Sequence, residues 1–375
     1  MPARLPGAFK FNPLRLHGKQ LHDFCTLKEL PETYAWEPVD CHGHHSGDCG
    51  TTRVEPVPVV DLYDPNAERL IGHACKTWGA FQIINHEIPR RLLDDVESAS
   101  RRLFSLPLRQ KLRAARDPDG VTGYGPAPIS SFFSKQMWSE GFTIFGSPLE
   151  HARQLWPSNY MRFCDIIEEY SREMQRLAGK LVWLMLGSLG ITKEDIQLPG
   201  PEAGYREASA ALQLNSYPAC PDPDRAVGLA AHTDSTLITI LHQNGTGGLQ
   251  LFREGCGWVT VPPLAGGLVI NVGDLLHILS NGLYPSVLHR AMVNRTRHRL
   301  SVAYLYGPPR DVLISPVSKV VEPGRVPLYR PVSWSEYLGI KAKHFRNALS
   351  LVRLCSHAHA NGGVIDANVS DSCAR

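Results

Sequence analysis

No stretch of the chain is apolar for long enough to span a bilayer. The longest candidate, LVWLMLGSLGI at 181–191, is about half of the ~20 residues a spanning helix needs, so no membrane partner is expected. The nine cysteines, at 25, 41, 49, 75, 164, 220, 256, 355 and 373, include no C-x-x-C pair and are odd in number. That pattern argues against a disulfide framework and for a reducing compartment, the cytoplasm. The amino terminus has no continuous apolar core and no serine among its first residues, so neither a secretory signal nor a transit peptide is expected. Charge of one sign is also missing: 39 basic against 36 acidic residues leave a formal +3, and the basic residues are dispersed. The electrostatic footprint of a nucleic-acid partner is therefore absent. There is no internal repeat, and no motif bears on oligomeric state.

What is present is a 375-residue chain, 43% hydrophobic, able to bury a large core as one big domain or two fused ones. Residues 1–52 are rich in Pro, His and Gly with little periodicity and read as a loosely ordered leader with at most a short helix. From 53 to 205 the pattern is mainly helical. Leu70, Ile71, Ala74, Cys75 and Trp78 mark one helix face, Leu92, Leu93, Val96, Ala99 and Leu103 a second, and Phe163 to Met185 a long third helix stopped near Gly190. Short strands VPVVDL and GAFQII flank the first. Between 206 and 310 the period changes to about eight short strands: SAALQLNSYP, STLITILHQ, GGLQLF, GWVTVPP, GLVINVG, LLHILSNG, SVLHRAMVN and RLSVAYLYGPP. Turn residues separate them, the signature of a jelly roll (double-stranded β-helix). A strand and a helix, SWSEYLGIKAKHFRNAL, are expected in 311–355, and a disordered tail in 356–375. The expected fold class is mainly β: a jelly-roll core with an α-helical amino-terminal region.

Within that core, AAHTDSTLITI places His232 and Asp234 two apart, so both side chains reach one point from a strand. Alone, the tripeptide is equally a surface turn or a hydrogen-bonded core histidine. LHRAMVNRTRHRLSVAYL adds His289 on one strand and Arg299 and Ser301 on the next. A hairpin centred near Arg295 would set His289 across from Ser301 and Ala291 across from Arg299. Two histidines and one carboxylate with three open positions form the facial triad of non-haem iron(II) oxygenases. Arg299 can grip a carboxylate bidentately, and Ser301 adds a hydroxyl.

These residues resemble the iron(II)/2-oxoglutarate-dependent dioxygenases of plants. NSYPAC at 215–220 is similar to that family's Asn-X-Tyr-Pro-X-Cys strand, and VPVVDL and WGAFQIINHEIP to its amino-terminal region. The resemblance implies His232, Asp234 and His289 as iron ligands, Asn215, Tyr217, Arg299 and Ser301 around 2-oxoglutarate, O2 as co-substrate and ascorbate as reductant. SSFFSKQMWSEGFTIF, NVGDLLHILSNGLYPSVLHR and SEYLGIKAKHF resemble the branch of the family that hydroxylates gibberellin precursors at C-3, which implies a small diterpenoid acid as substrate. Met137, Trp138 and Tyr306 are expected to border its pocket. Oxidation at another gibberellin position or of a flavonoid, and a non-catalytic jelly-roll binding protein, stay open as alternatives.

Other candidates have plainer readings. The cluster CHGHHSGDC at 41–49 lies in the Gly-rich leader without flanking structure and reads as a solvated loop. Asp274 and His277, three apart in an expected strand, would point to opposite faces, leaving His277 a core or supporting residue. His86, His242 and His298 are expected as turn, packing or exposed residues.

Overall fold

The computed structural model of the protein describes residues 22–37, 55–117, 120–196 and 209–354. The chain runs β1 (Val59–Asp61), α1 (Ala67–Trp78), β2 (Ala80–Ile84), α2 (Arg90–Phe104), α3 (Leu108–Lys111), β3 (Gly123–Gly125), β4 (Glu140–Phe145), α4 (Leu149–Leu155) and α5 (Met161–Gly187). It continues β5 (Ser209–Tyr217), β6 (Val227–His232), β7 (Ile238–Gln243), β8 (Leu249–Arg253), β9 (Gly257–Thr260), β10 (Leu268–Val272), α6 (Asp274–Leu279), β11 (His289–Met292) and β12 (Arg299–Gly307). A small ribbon, β13 (Leu313–Ile314) with β14 (Val332–Ser333), leads to α7 (Trp334–His344) and α8 (Ala348–Val352).

The helices form where the apolar stripes foretold them. α1 buries Ile71, Ala74, Cys75 and Trp78, and α5 buries Phe163, Ile167, Tyr170, Met174, Leu177, Leu181 and Met185. Each fully buried aliphatic side chain of this kind contributes roughly 1.5–3 kcal/mol of transfer free energy. α1 and α2 pack on α5, and α2 and α5 lie against β12.

Two sheets face each other. The major sheet has the order β1-β2-β10-β7-β12-β5-β4-β3, and the minor sheet β6-β11-β8-β9. Alternation along β12 assigns its two faces. Leu300, Val302, Tyr304 and Tyr306 join the core beneath the helices, whereas Ala303 packs between the sheets with Leu241, Leu249, Leu251, Val261 and Val269. Arg299 and Ser301 share the face of Ala303 and so look into the space between the sheets.

Several expectations change. LLHIL is α6, not a strand. Its apolar run has no strand alternation, and its first N–H groups bond back to the 234–237 segment: Asp274 N to Asp234 O (2.8 Å) and Leu275 N to Thr236 O (3.0 Å). Gly273 permits the approach, because a Cβ there would stand 2.2 Å from Thr236 O. β11 and β12 are not a hairpin. His289 pairs with His232 of β6 and Leu251 of β8, while Ser301 pairs with Asn215 of β5 and Gln243 of β7. The segment 293–298 crosses between sheets, turned by Asn294, whose Oδ1 accepts from Thr296 N and Arg297 N. The 53–205 region also supplies β1 to β4 of the major sheet and is not helical alone. The last helix is broken at Phe345, whose φ is 44°. Where the leader is described it is packed: Phe24 and Tyr34 are buried around Trp138, with ring centroids 4.7 and 5.4 Å away. The 41–49 cluster and the 356–375 tail lie outside the described residues.

Candidate active site

β6 ends on His232, and the chain turns so that Asp234 comes beside His289, the first residue of β11. The Nε2 atoms of His232 and His289 lie 3.7 and 3.8 Å from Asp234 Oδ1, and one ligand atom from each residue falls within 4.8 Å of the others. Each imidazole is held from behind. Nδ1 of His232 bonds to Ala230 O (2.8 Å) and Nδ1 of His289 to Val287 O (3.1 Å). A carbonyl only accepts, so both Nδ1 atoms carry the proton and both Nε2 lone pairs face the carboxylate. Burial, reinforced by the His289 imidazole, lowers His232 to about 4. Burial pushes the Asp234 carboxyl up, but His289, His232, the Thr239 hydroxyl and the Lys341 ammonium together hold the acid below its ordinary value. Neutral imidazole and ionised carboxylate are the states a metal requires. Asp234 Oδ2 is sealed from solvent with no hydrogen-bond partner, an orphan that a cation would satisfy. The residues present therefore fit a divalent metal.

Across the inter-sheet space stands an arginine. Arg299 is 1% exposed; Nη2 donates to Gln243 Oε1 (2.9 Å), and Nε and Nη1 have no partner. Its guanidinium lies 4.9 Å from the Tyr217 ring centroid, and burial pulls it below its ordinary pKa. Tyr217 is directly opposite Arg299, and Asn215 opposite Ser301, with Asn215 Nδ2 3.5 Å from Ser301 Oγ. A buried guanidinium with unused donors is a place for a carboxylate.

A further layer was not foreseen from sequence. Asp274, fully buried, accepts from Lys341 Nζ (2.5 Å), Tyr337 OH (2.7 Å) and Thr233 Oγ1 (3.2 Å), and Lys341 also reaches Thr233 Oγ1. Thr233 lies between His232 and Asp234, so α7 clamps the turn that carries them. The i, i+4 spacing of Tyr337 and Lys341 was the available signal.

The three expected pocket residues are spread apart, with Met137 against β6 and Tyr306 and Trp138 elsewhere. Tyr306 faces the helices beside Gly179, Val182 and Trp183. Trp138 is sealed against Phe24, Tyr34 and Cys220, its Nε1 donating to Pro218 O (3.1 Å). Met137 packs with Trp36, Val227 and Ala230, where its Sδ accepts from Ala230 N (3.5 Å). A cavity of about 350 Å3 beside β6 is lined by Trp36, Phe132, Phe133, Ala230, Ala231 and Arg290, among others, and Met137 packs on its wall. His277 bonds Tyr284 O and Tyr329 OH, His86 bonds Gly266 O, His298 bonds Ser216 Oγ, and His242 is buried under the helices.

Residues 208–308 match the family model of the 2OG-Fe(II) oxygenase superfamily, and 57–160 that of the non-haem dioxygenase in morphine synthesis N-terminal region. The chain is 59% identical to gibberellin 3-beta-dioxygenase 1 of Pisum sativum over 99% of this chain and 98% of that one. It belongs to the gibberellin 3-beta-dioxygenase family, within the 2OG-Fe(II) oxygenase superfamily. The Arabidopsis thaliana gibberellin 3-beta-dioxygenase 1 is 56% identical, over 94% of this chain and 99% of that one. The crystal structure of JOX2 in complex with 2OG, Fe and JA superposes with TM-score 0.71 at 30% identity, covering 84% of this chain and 89% of that one. Membership in this dioxygenase family brings Fe(II), 2-oxoglutarate and O2 as cofactor and co-substrates.

Proposed function

We propose that the protein hydroxylates gibberellin precursors at C-3 on the β face, consuming 2-oxoglutarate and O2 and releasing succinate and carbon dioxide. One observation carries the chemistry: two sets of unsatisfied groups face a single inter-sheet space, a carboxylate oxygen with two imidazole lone pairs on one side and unused guanidinium donors on the other. The near full-length similarity to gibberellin 3-beta-dioxygenases supports the substrate class.

In this reading His232, Asp234 and His289 hold the metal. Arg299 and Ser301 receive the far carboxylate of 2-oxoglutarate, with Tyr217 and Asn215 alongside. Bound iron supplies the coupling of 2-oxoglutarate decarboxylation to C–H hydroxylation. The chain's own contribution is position and exclusion of water. The Ala230 and Val287 carbonyls fix the imidazole tautomers, and the Asp274–Lys341–Tyr337 clamp holds the ligand turn. Burial of Arg299 strengthens its grip on a carboxylate. Ascorbate serves as reductant, by family resemblance. We place the enzyme in the cytoplasm, consistent with free cysteines at 75, 164 and 256; among the described residues no helix is long and apolar enough to cross a membrane.

The test is product analysis by mass spectrometry on a panel of labelled gibberellins, with succinate counted in parallel. A 3-beta-hydroxylated product matched one to one by succinate is expected. Product at another carbon, or binding without succinate release, would overturn the assignment.

A further inference from the structure

Among the described residues, the arginine or lysine nitrogens that are sealed from solvent and lack a hydrogen-bond partner belong to two side chains, Arg299 and Arg116. Neighbouring basic groups are already matched: Lys111 by Glu140, Lys135 by Glu32 and Lys341 by Asp274. Arg290 stacks on Trp258 and bonds Gln250, and with Arg346 it lines the cavity beside β6. Arg116 has no acid partner among the described residues. Its Nη1 donates to Pro126 O (3.0 Å), its Nη2 to Thr143 Oγ1 (2.7 Å), and its Nε to nothing. Burial alone pulls its guanidinium down to about 10.

Its position gives this excess charge a meaning. Thr143 pairs with Gln213, and Gln213 with Ala303, so Thr143 lies on the same inter-sheet face as Ser301 and Arg299. A continuous polar row joins the two arginines: Arg116 Nη2 to Thr143 Oγ1, Thr143 Oγ1 to Gln213 Oε1 (2.5 Å), Gln213 Nε2 to Asn215 Oδ1 (3.0 Å), and Asn215 Nδ2 toward Ser301 Oγ. The row crosses β4, β5 and β12, roughly 10 Å at the usual strand spacing. Gly125 and Gly141 are paired on this face, and the missing side chain at Gly141 lets the Gln213 amide lie across it, because a Cβ there would stand 2.8 Å from Gln213 Nε2. One wall thus carries two unbalanced cations, and the co-substrate supplies an anion for Arg299 alone.

We propose that Arg116 receives the carboxylate of the gibberellin substrate, holding the skeleton along this row so that its ring A end is offered to the metal. The proposal rests on the gibberellin reading above and adds its specificity-determining cation. Lining the row with neutral amides and hydroxyls lets it accept the substrate's polar edge without a second charge competing for the acid.

The test compares a gibberellin precursor acid with its methyl ester in wild type, Arg116→Gln and Arg116→Lys. Arg116→Gln is expected to raise KM for the acid about 10- to 100-fold, the usual worth of a charge-assisted hydrogen bond, and to leave KM for 2-oxoglutarate unchanged. KM for the ester should be the same in wild type and Arg116→Gln. Equal losses on acid and ester, an unchanged KM for the acid, or a rise in KM for 2-oxoglutarate instead would overturn the proposal. If thermal melting shows Arg116→Gln unfolded, Arg116→Lys carries the comparison: its acid-over-ester preference should fall below wild type, and an undiminished preference overturns it. A wild type inert to acid and ester alike would remove the gibberellin reading and this proposal together, whereas an active wild type with no Arg116 effect would remove only the latter.

Discussion

The inner faces of the two sheets are prepared for opposite charges. On the minor sheet, β6 and β11 end in imidazoles aimed at a carboxylate with an unpartnered oxygen, an arrangement short of positive charge. On the major sheet, β12 and β5 present Arg299 beside Ser301, Asn215 and Tyr217, an arrangement short of negative charge. Each leaves polar groups buried and unpaired, which costs stability when the site is empty. The lesson is that the folded chain is complementary to a cation and an anion bound next to each other, the two ends of a metal–oxo-acid chelate, rather than to either alone.

Removing one side should leave the other intact. Asp234→Ala or His232→Ala is expected to abolish turnover and bring iron content, measured on the purified protein, close to zero. The largest effect in the molecule should be here, because a two-ligand site no longer encloses the ion. Arg299→Gln should keep its iron and instead raise KM for 2-oxoglutarate by about 10- to 100-fold, read from succinate release. Iron loss in the Arg299 variant, or normal iron in the Asp234 variant, would break the division between the sheets.

The division was partly visible in the letters. Arg299-Leu-Ser301 is legible because a strand's period of two fixes a shared face whatever the tertiary context, and His232-Thr-Asp234 because the two lie so close in sequence that the turn ending β6 still brings both to one point. The stripe on α5 is legible for the corresponding helical reason. The β11–β12 register was not, since VNRTRH has the length of a hairpin loop yet carries the chain from one sheet to the other. α6 is hard to read because LLHIL is too short for its i, i+3, i+4 spacing to stand out from an apolar strand, and its helix start rests on bonds with a segment 40 residues earlier, as Asp274 N to Asp234 O shows. Gln243, Asp274 and Lys341 are invisible as partners until non-local strands and α7 meet. The burial of Phe24 and Tyr34 is not legible in sequence because their Pro- and His-rich context shows no periodicity.

A finer test concerns the clamp behind the minor sheet's half of the site. Lys341→Met removes the ammonium from Asp274 and Thr233 without touching a ligand atom. Iron affinity, measured by titration of the metal-free protein, is expected to fall about tenfold, at the low end of effects for groups that orient ligands. KM for 2-oxoglutarate should move less. Tyr337→Phe, which removes one hydrogen bond and keeps the packing, should have a smaller effect in the same direction. Equal shifts in iron affinity and 2-oxoglutarate KM would mean that α7 supports the whole barrel rather than the metal side.

The smallest effect sharpens the comparison on a single strand. Gln243 of β7 faces inward and bonds Arg299; His242, one residue earlier, faces the helices, buried with neither ring nitrogen hydrogen-bonded. Burial lowers its pKa to about 4 from the ordinary 6.5, with Glu97, Arg90 and Asp94 of α2 as the nearby charges. The folded state therefore keeps a neutral imidazole while the unfolded chain takes up a proton below pH 6.5. The associated stability is complete above pH 6.5 and is lost as pH falls toward 4, by roughly 3 kcal/mol across the window. Other buried histidines carry the same sign, so the share of His242 is read as a difference between proteins at equal pH. His242→Leu should lose less Tm than wild type between pH 7 and pH 5, with KM for 2-oxoglutarate unchanged. Parallel Tm curves would show that His242 already shares a proton with a partner in the folded state, and that β7 does not separate a charged face from a neutral one.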